Sequence, residues 1–407
     1  MTLFMPQNWP KSLLWLGNFD AAVKRQGEIM DHRFVTNQPN GQLHSLKWTE
    51  PAGMTAEPYT LYGLKLSYFT GKLEAYLRAK GIAFQFVEMN IVDFQRCARE
   101  TGVAQMPQLV SPQGAWLTDT TAIIAHFEGQ GAEPKLTPAT ATGTFLSLLL
   151  EDAFDEWLWR PALYYRWAFD EDSRLMGHQI ARTLLRDLPA PLWLRSFWIT
   201  QRQKREYLKA DGVTHENGPA LERHYLAVLD MLEPIFAARP YLFGDRPCEA
   251  DFGLFGSMFR HFSSDPTPAA ILRERAPNVM AWIAHLWAAT PVNLANYDRV
   301  ADPPSDLDPL LRCIGADYLP YLAANLEAVA NHKPRVRFES FGGHFEIPTS
   351  TYRAACWQDL CRKFAALSTT EQETVSRRLG FEIKQGNKAL DLNPPIKGRK
   401  AKNRHWK

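Results

Sequence analysis

Three short clusters between Tyr59 and Glu128 hold residue types at spacings that could do chemistry. Ser67 falls between an apolar run, Tyr59–Gly63, and a stretch of helical spacing that begins near Tyr68. A group held at such a turn faces unpaired backbone N–H groups and the positive end of the helix dipole. That field favours an anion, so a thiolate held there has a lowered pKa. A hydroxyl at position 67 could donate a hydrogen bond to the sulfur; taken alone, Ser67 is equally an ordinary N-cap. Met106-Pro107 stands directly before a strand-like triplet, Gln108-Leu109-Val110. Proline cannot donate to a strand ladder, and a cis bond there would turn the N–H and C=O of Met106 toward a peptide ligand. A trans proline opening a strand is the plain alternative. Asp119-Thr120 opens a helix, where N–H groups and a hydroxyl could hold a carboxylate and Asp119 an ammonium. A helix cap without a ligand accounts for the same pair.

The elements that must position these residues follow from pattern. Tyr59–Gly63 reads as a strand, and Gly71–Gly81 as a helix that stops at Gly81. Ile82–Met89 is a second strand, Asp93–Thr101 a short helix or turn, and Gln108–Val110 a third strand. Gln113-Gly114 suits a tight turn into a fourth, Ala115–Leu117, and Thr118 starts a helix through Phe127. The order is β-α-β-α-β-β-α, with the first two strands parallel across a helix. From Thr137 onward the pattern is helical. Thr144–Phe169 reads as one long helix, and Arg174–Tyr207 as a helical region broken near Pro189 and Pro191. Gly218–Ala238 carries Leu221, Tyr225, Val228, Leu229 and Leu232 at three- and four-residue steps. Ala250–His261 and Val279–Ala289 continue the bundle, Leu310–Asn331 follows a Pro- and Asp-rich boundary at 301–309, and Thr351–Leu367 is a last helical patch.

Read in order, these motifs resemble the glutathione transferases. Leu61-Tyr62-Gly63-Leu64-Lys65-Leu66-Ser67-Tyr68-Phe69 looks like that family's first strand and catalytic turn. Gln105-Met106-Pro107-Gln108-Leu109 looks like its cis-proline loop, and Leu117-Thr118-Asp119-Thr120-Thr121 its acidic-then-hydroxyl motif. In the helical half, Leu149–Leu158 is similar to the first helix of the family's second domain, and Pro240–Gly256 to its buried capping-box helix. There Cys248 stands where the family usually has serine or threonine. A thiol accepts poorly, so the cap is weakened, while Asp251 can still bond back to the backbone.

The resemblance covers roughly residues 59–290. It implies an α/β thioredoxin-like domain followed by an all-α helical bundle. The expected division is an N-terminal arm over 1–57, a glutathione-binding domain over 58–130, a helical substrate domain over 138–300 with an insertion near 173–233, and an extension over 301–407. It implies that glutathione is the co-substrate, with its γ-glutamyl end on Asp119 and Thr120. Its cysteine backbone would pair with Met106 before a cis Pro107, and Ser67 would steady the thiolate. Tyr62 and Tyr68 are the alternative hydroxyl donors. A hydrophobic electrophile would then meet the thiolate in a cleft walled by Trp157 and Tyr164, on the helix that also carries Tyr165 and Trp167; packing between helices is the alternative for each. A homodimer is implied too, although the added arms could replace or block its interface. The rival is a non-catalytic binding or scaffold protein on the same fold. Gln201–Glu206, within the insertion, is polar and expected on the surface.

Composition bounds what remains. A net charge of +2 over 407 residues argues against a chain-wide nucleic-acid surface. The basic stretch Lys397–Lys407 is the one local exception, and a solvated tail explains it as well. Five cysteines make no disulfide framework, and with the absence of a secretory pattern at the start they point to a reducing cytoplasm. Apolar runs such as Phe145–Leu150 are far too short to span a bilayer. The histidines are scattered, so no metal site is expected.

Overall fold

The computed structural model of the chain describes residues 57–208 and 210–384. The expected N-terminal arm, apart from its last residue, and the basic stretch Lys397–Lys407 lie outside the described residues.

The N-terminal half is a four-stranded sheet with helices against it. It is built from β1 (Tyr59–Gly63), α1 (Tyr68–Lys80), β2 (Phe84–Glu88), α2 (Ile91–Thr101), β3 (Gln108–Val110), β4 (Trp116–Thr118) and α3 (Thr120–Gly129). The strand order is β2-β1-β3-β4, with β1 parallel to β2 and antiparallel to β3, and β3 antiparallel to β4. Local chemistry sets the boundaries. Gly81 adopts φ +74 and sends its N–H back to the carbonyls of Leu77 and Arg78, which ends α1. A Cβ there would also lie 2.5 Å from Pro291 Cγ. Asn90 and Asp93 form a reciprocal capping box that starts α2 two residues earlier than its periodicity indicates. Thr118 ends β4 rather than opening a helix; α3 begins at Thr120, because Asp119 supplies the cap.

The helical half comprises α4 (Ala141–Glu156), α5 (Trp159–Ala168), α6 (Asp170–Thr183), α7 (Leu192–Gln203), α8 (Gly218–Ala238), α9 (Glu249–Ser257), α10 (Pro266–Arg275), α11 (Pro277–Trp287) and the single turn α12 (Pro291–Leu294). The helix expected over 144–169 is two helices, broken at Trp157-Leu158. Wider turns at Lys204–Leu208 and Met258–Phe262 extend α7 and α9. The stretch 173–233, where an insertion is expected, holds most of α6, all of α7 and most of α8; α6 and α7 pack on each other, with Gly177 set against Thr200 and Ser196. The polar run of this stretch is mixed: Arg205 is exposed and its neighbours are partly so, while Arg202 is buried and pairs with Glu206 at 3.1 Å. The face α7 shows to water carries Trp193 and Phe197, 71% and 61% exposed. α9 lies wholly inside, against α4 and α1, with its first turn held by Asp251, which accepts from Cys248 N and Leu242 N at 3.0 Å each.

The C-terminal segment is α13 (Asp308–Ala330), a hairpin of β5 (Arg335–Ser340) and β6 (Gly343–Pro348), α14 (Thr351–Ala365) and α15 (Thr369–Leu379). It packs on α4, α5 and α8. Arg353 pairs with Glu156 at 2.7 Å and Asp211 at 3.4 Å, Trp157 donates to Asp317 at 2.6 Å, and Tyr318 donates to Asp152 at 2.7 Å. The main apolar core runs without a break from Leu61 through the bundle to Ile383. Among the described residues no helix is long and apolar enough to cross a membrane.

Candidate active site

The sheet register gathers the three motifs at one edge. Tyr62, Gln108 and Thr118 are partners on a single rung across β1, β3 and β4. Because β3 runs opposite to its neighbours, the chain leaves β1 toward Ser67, enters β3 from Pro107 and leaves β4 into Asp119 on the same side. Adjacent strands lie ~4.8 Å apart, so β1 to β4 spans about 10 Å. An extended peptide of three residues is of about that length.

Ser67 caps α1. Its backbone is extended, φ −82 and ψ 131, and its Oγ accepts from Thr70 N at 3.3 Å. A hydroxyl has one proton and two lone pairs, so accepting from Thr70 leaves its proton to donate elsewhere. The cap thus does not preclude an anion-binding role for this half-buried side chain. The two alternative hydroxyls lie in different surroundings. Tyr68 is 1% exposed and donates to the carbonyl of Phe154, and burial raises its pKa well above that of a free phenol. Tyr62 stacks on Trp116 at 5.8 Å, with the Arg96 guanidinium 5.0 Å from its ring centre.

The Met106-Pro107 bond is cis. Its loop is tied to the neighbouring strand: Gln105 Nε2 donates to Thr118 Oγ1 at 2.9 Å, and Gln108 Nε2 to Gln105 O at 3.1 Å. Met106 is half-buried and Pro107 buried.

Asp119 has φ +70, one of three non-glycine residues with positive φ among the described residues. Such a conformation costs on the order of 1–3 kcal/mol and survives where its surroundings impose it, commonly at ligand sites. Its Oδ1 accepts from Thr121 N at 3.1 Å and Ala122 N at 3.4 Å. Thr120, 6% exposed, begins the helix.

Behind the motif lies a buried ion cluster. Lys72 of α1, fully buried, reaches Asp155 at 2.5 Å, Glu151, and Thr121 Oγ1 at 3.2 Å. Burial works against its charge, but Asp155 and Glu151 outweigh it and raise its pKa. The cluster joins α1, α3 and α4, so the two ends of the site are braced against one another. Thr121, absent from the sequence reading as a functional residue, is the link.

Of the aromatics expected to wall a second cleft, Trp157 is 2% exposed, donates to Asp317, and lies against His224 with ring centres 4.2 Å apart. It thus sits in the seam with the C-terminal segment. Tyr164 is half-buried and donates to Glu222 at 2.7 Å. Tyr165 and Trp167 are core. The aromatic pair next to the Ser67 turn is Phe69 stacked on Trp159, centres 5.9 Å apart. Phe69 was legible as a neighbour of Ser67; Trp159, contributed by α5, was not. Among the described residues no group of three His, Cys, Asp or Glu is placed to hold a metal.

Comparison with known proteins agrees with this architecture. Residues 61–135 match the glutathione S-transferase N-terminal domain, and residues 204–285 the glutathione S-transferase C-terminal domain. The chain thus carries both domains of the glutathione transferase family, a thioredoxin-like domain followed by a helical one. Similar solved structures include a β-etherase from Sphingobium sp. strain SYK-6, 18% identical over 58% of this chain and 97% of that one, with TM-score 0.42. A glutathione S-transferase from Rhodospirillum rubrum is 20% identical over 60% and 96%, with TM-score 0.38. Another, from Methylobacterium radiotolerans in complex with glutathione sulfonate, is 18% identical over 61% and 97%, with TM-score 0.36. No curated protein matches the chain.

Proposed function

We propose that this protein binds glutathione and conjugates its thiol to a hydrophobic electrophile. The observation that carries the reading is the Tyr62–Gln108–Thr118 rung, which places Ser67, Pro107 and Asp119 along one sheet edge. The γ-glutamyl carboxylate is held at the N-terminus of α3 by backbone N–H groups and the Thr120 hydroxyl, and the ammonium by Asp119. Met106 pairs with the cysteine backbone. The thiol loses its proton to solvent, and the thiolate rests against the N-terminus of α1 and the Ser67 hydroxyl. The sulfur then bonds to the electrophilic carbon, and the leaving group departs with the bonding pair. Phe69 and Trp159 offer the apolar surface nearest that sulfur. Trp157 and Tyr164 serve packing in this reading. A cytoplasmic setting and a homodimer accompany it.

The test is conjugation of a generic aryl halide, followed with glutathione and with a control thiol lacking the γ-glutamyl group. The reading expects turnover with glutathione at least tenfold above the control. Equal rates with both thiols would discard it.

A second reading, binding without turnover, draws on Trp193 and Phe197, which α7 presents to water. Retention on immobilised glutathione with no conjugation above the uncatalysed rate would favour it.

A further inference from the structure

We propose that Arg166 is a positioning residue: from the helical half, it fixes the turn that presents Ser67 to the glutathione thiol. The proposal rests on the glutathione reading above. Arg166 lies on α5 and is 4% exposed. Its guanidinium forms a two-pronged pair with Asp265, Nε to Oδ2 at 2.8 Å and Nη2 to Oδ1 at 2.9 Å. Asp265 is fully buried at the start of α10. With the fork so fixed, Nη1 points to the carbonyl of Leu66 at 2.9 Å, and Nη2 also donates to the carbonyl of Arg260 at 2.5 Å.

The Leu66 carbonyl and the Ser67 N–H belong to one peptide plane. Arg166 holds the oxygen side of that plane, and the N–H side donates to Leu64 O at 2.9 Å. Rotating the plane would change φ at Ser67, swinging its Oγ and tilting the first turn of α1. The two groups offered to the thiolate, the hydroxyl and the helix N-terminus, therefore share one anchor in the other half of the protein. A buried ion pair is a weak stabiliser, because desolvation offsets much of its attraction. What this pair adds is orientation: a lysine has the charge but not the fork, and cannot hold Asp265 in two places while reaching Leu66.

The experiment titrates the ultraviolet absorbance of the thiolate of glutathione bound to the full chain, alongside steady-state conjugation. For Arg166→Lys the bound thiol should titrate about one unit higher than in the wild type. At neutral pH kcat/KM should fall roughly tenfold, with KM for glutathione changed less than about twofold. Asp265→Asn, which keeps the shape of the pair but loosens the guanidinium, should shift the thiol in the same direction. Arg353→Lys is the control. It weakens another buried pair, to Glu156, and should lower thermal stability without moving the thiol. An unshifted thiol in both Arg166→Lys and Asp265→Asn overturns the proposal, as does an equal shift in Arg353→Lys. Failure of the wild type to bind glutathione overturns the underlying reading as well, so the two failures are distinguishable.

Discussion

At Ser67 the side-chain oxygen accepts from Thr70 N while its proton remains available, and this division of labour makes the position informative. Removing the hydroxyl should have two separable effects. Ser67→Ala loses a cap and should cost about 1 kcal/mol of stability, read from urea unfolding. It should also raise the titration point of bound glutathione and lower kcat/KM by about 10²-fold, within the range for one preorganised donor to a developing or resident anion. Loss of stability with unchanged kinetics would reduce Ser67 to a cap. The cap was legible in sequence, because serine before a helix is its signature. The φ of +70 at Asp119 was not legible, since nothing in Thr118-Asp119-Thr120 requires a left-handed backbone. Nor was the fate of Trp157, because a tryptophan on a helix packs in a core, a seam or a cleft with the same local pattern.

Among the elements, α9 shows how a buried helix stores pH dependence. Glu249 opens it, 4% exposed, and accepts from Thr137 and from Ser147 at 2.7 Å. Burial pushes its pKa from 4.5 up to about 7, against those hydrogen bonds, which pull it down. The folded state thus keeps a proton that the unfolded chain releases near pH 4.5. Stability from this group is present below pH 4.5 and falls as pH rises toward about 7, by on the order of 3 kcal/mol. Glu249→Gln cannot ionise. Relative to the wild type it should gain stability as the pH of urea unfolding is taken from 4.5 to 8, and a constant difference between the two would contradict this. Element boundaries divided by cause. Gly81 was readable because its left-handed stop is written in the residue type. The break at Trp157-Leu158 was readable too, and the expectation of one long helix missed it: Pro161, in the first turn of α5, has no N–H to give the carbonyl of Trp157.

At the scale of the whole molecule, the C-terminal segment is bound to the helical half by charge as well as apolar packing. Arg353 satisfies both Glu156 and Asp211, and Tyr318 donates to Asp152, whose pKa burial pushes up to about 7. Arg353→Ala leaves Glu156 buried without its cation and should cost about 3–5 kcal/mol, seen as a lower urea midpoint. A change below about 1 kcal/mol would show the seam to be held by packing alone. This segment was the least legible part of the described chain. Arg-Val-Arg-Phe-Glu-Ser and His-Phe-Glu-Ile alternate as strands do, but the turn between them is Phe341-Gly342, with φ +48 and +74. A phenylalanine gives no turn signal at a position where asparagine or glycine is expected. Phe341 tolerates it because its ring stacks on His224, centres 4.4 Å apart. The sheet and its three motifs were legible because their information is local and ordered, whereas the seam depends on contacts more than a hundred residues apart in sequence.

The central claim is that one sheet edge recognises glutathione end to end. Calorimetric titration of glutathione into the wild type and Asp119→Ala tests it most directly. The account predicts saturable binding by the wild type and at least a tenfold weaker affinity for the variant, with the fold retained. Identical affinities, or no binding by the wild type, would contradict it.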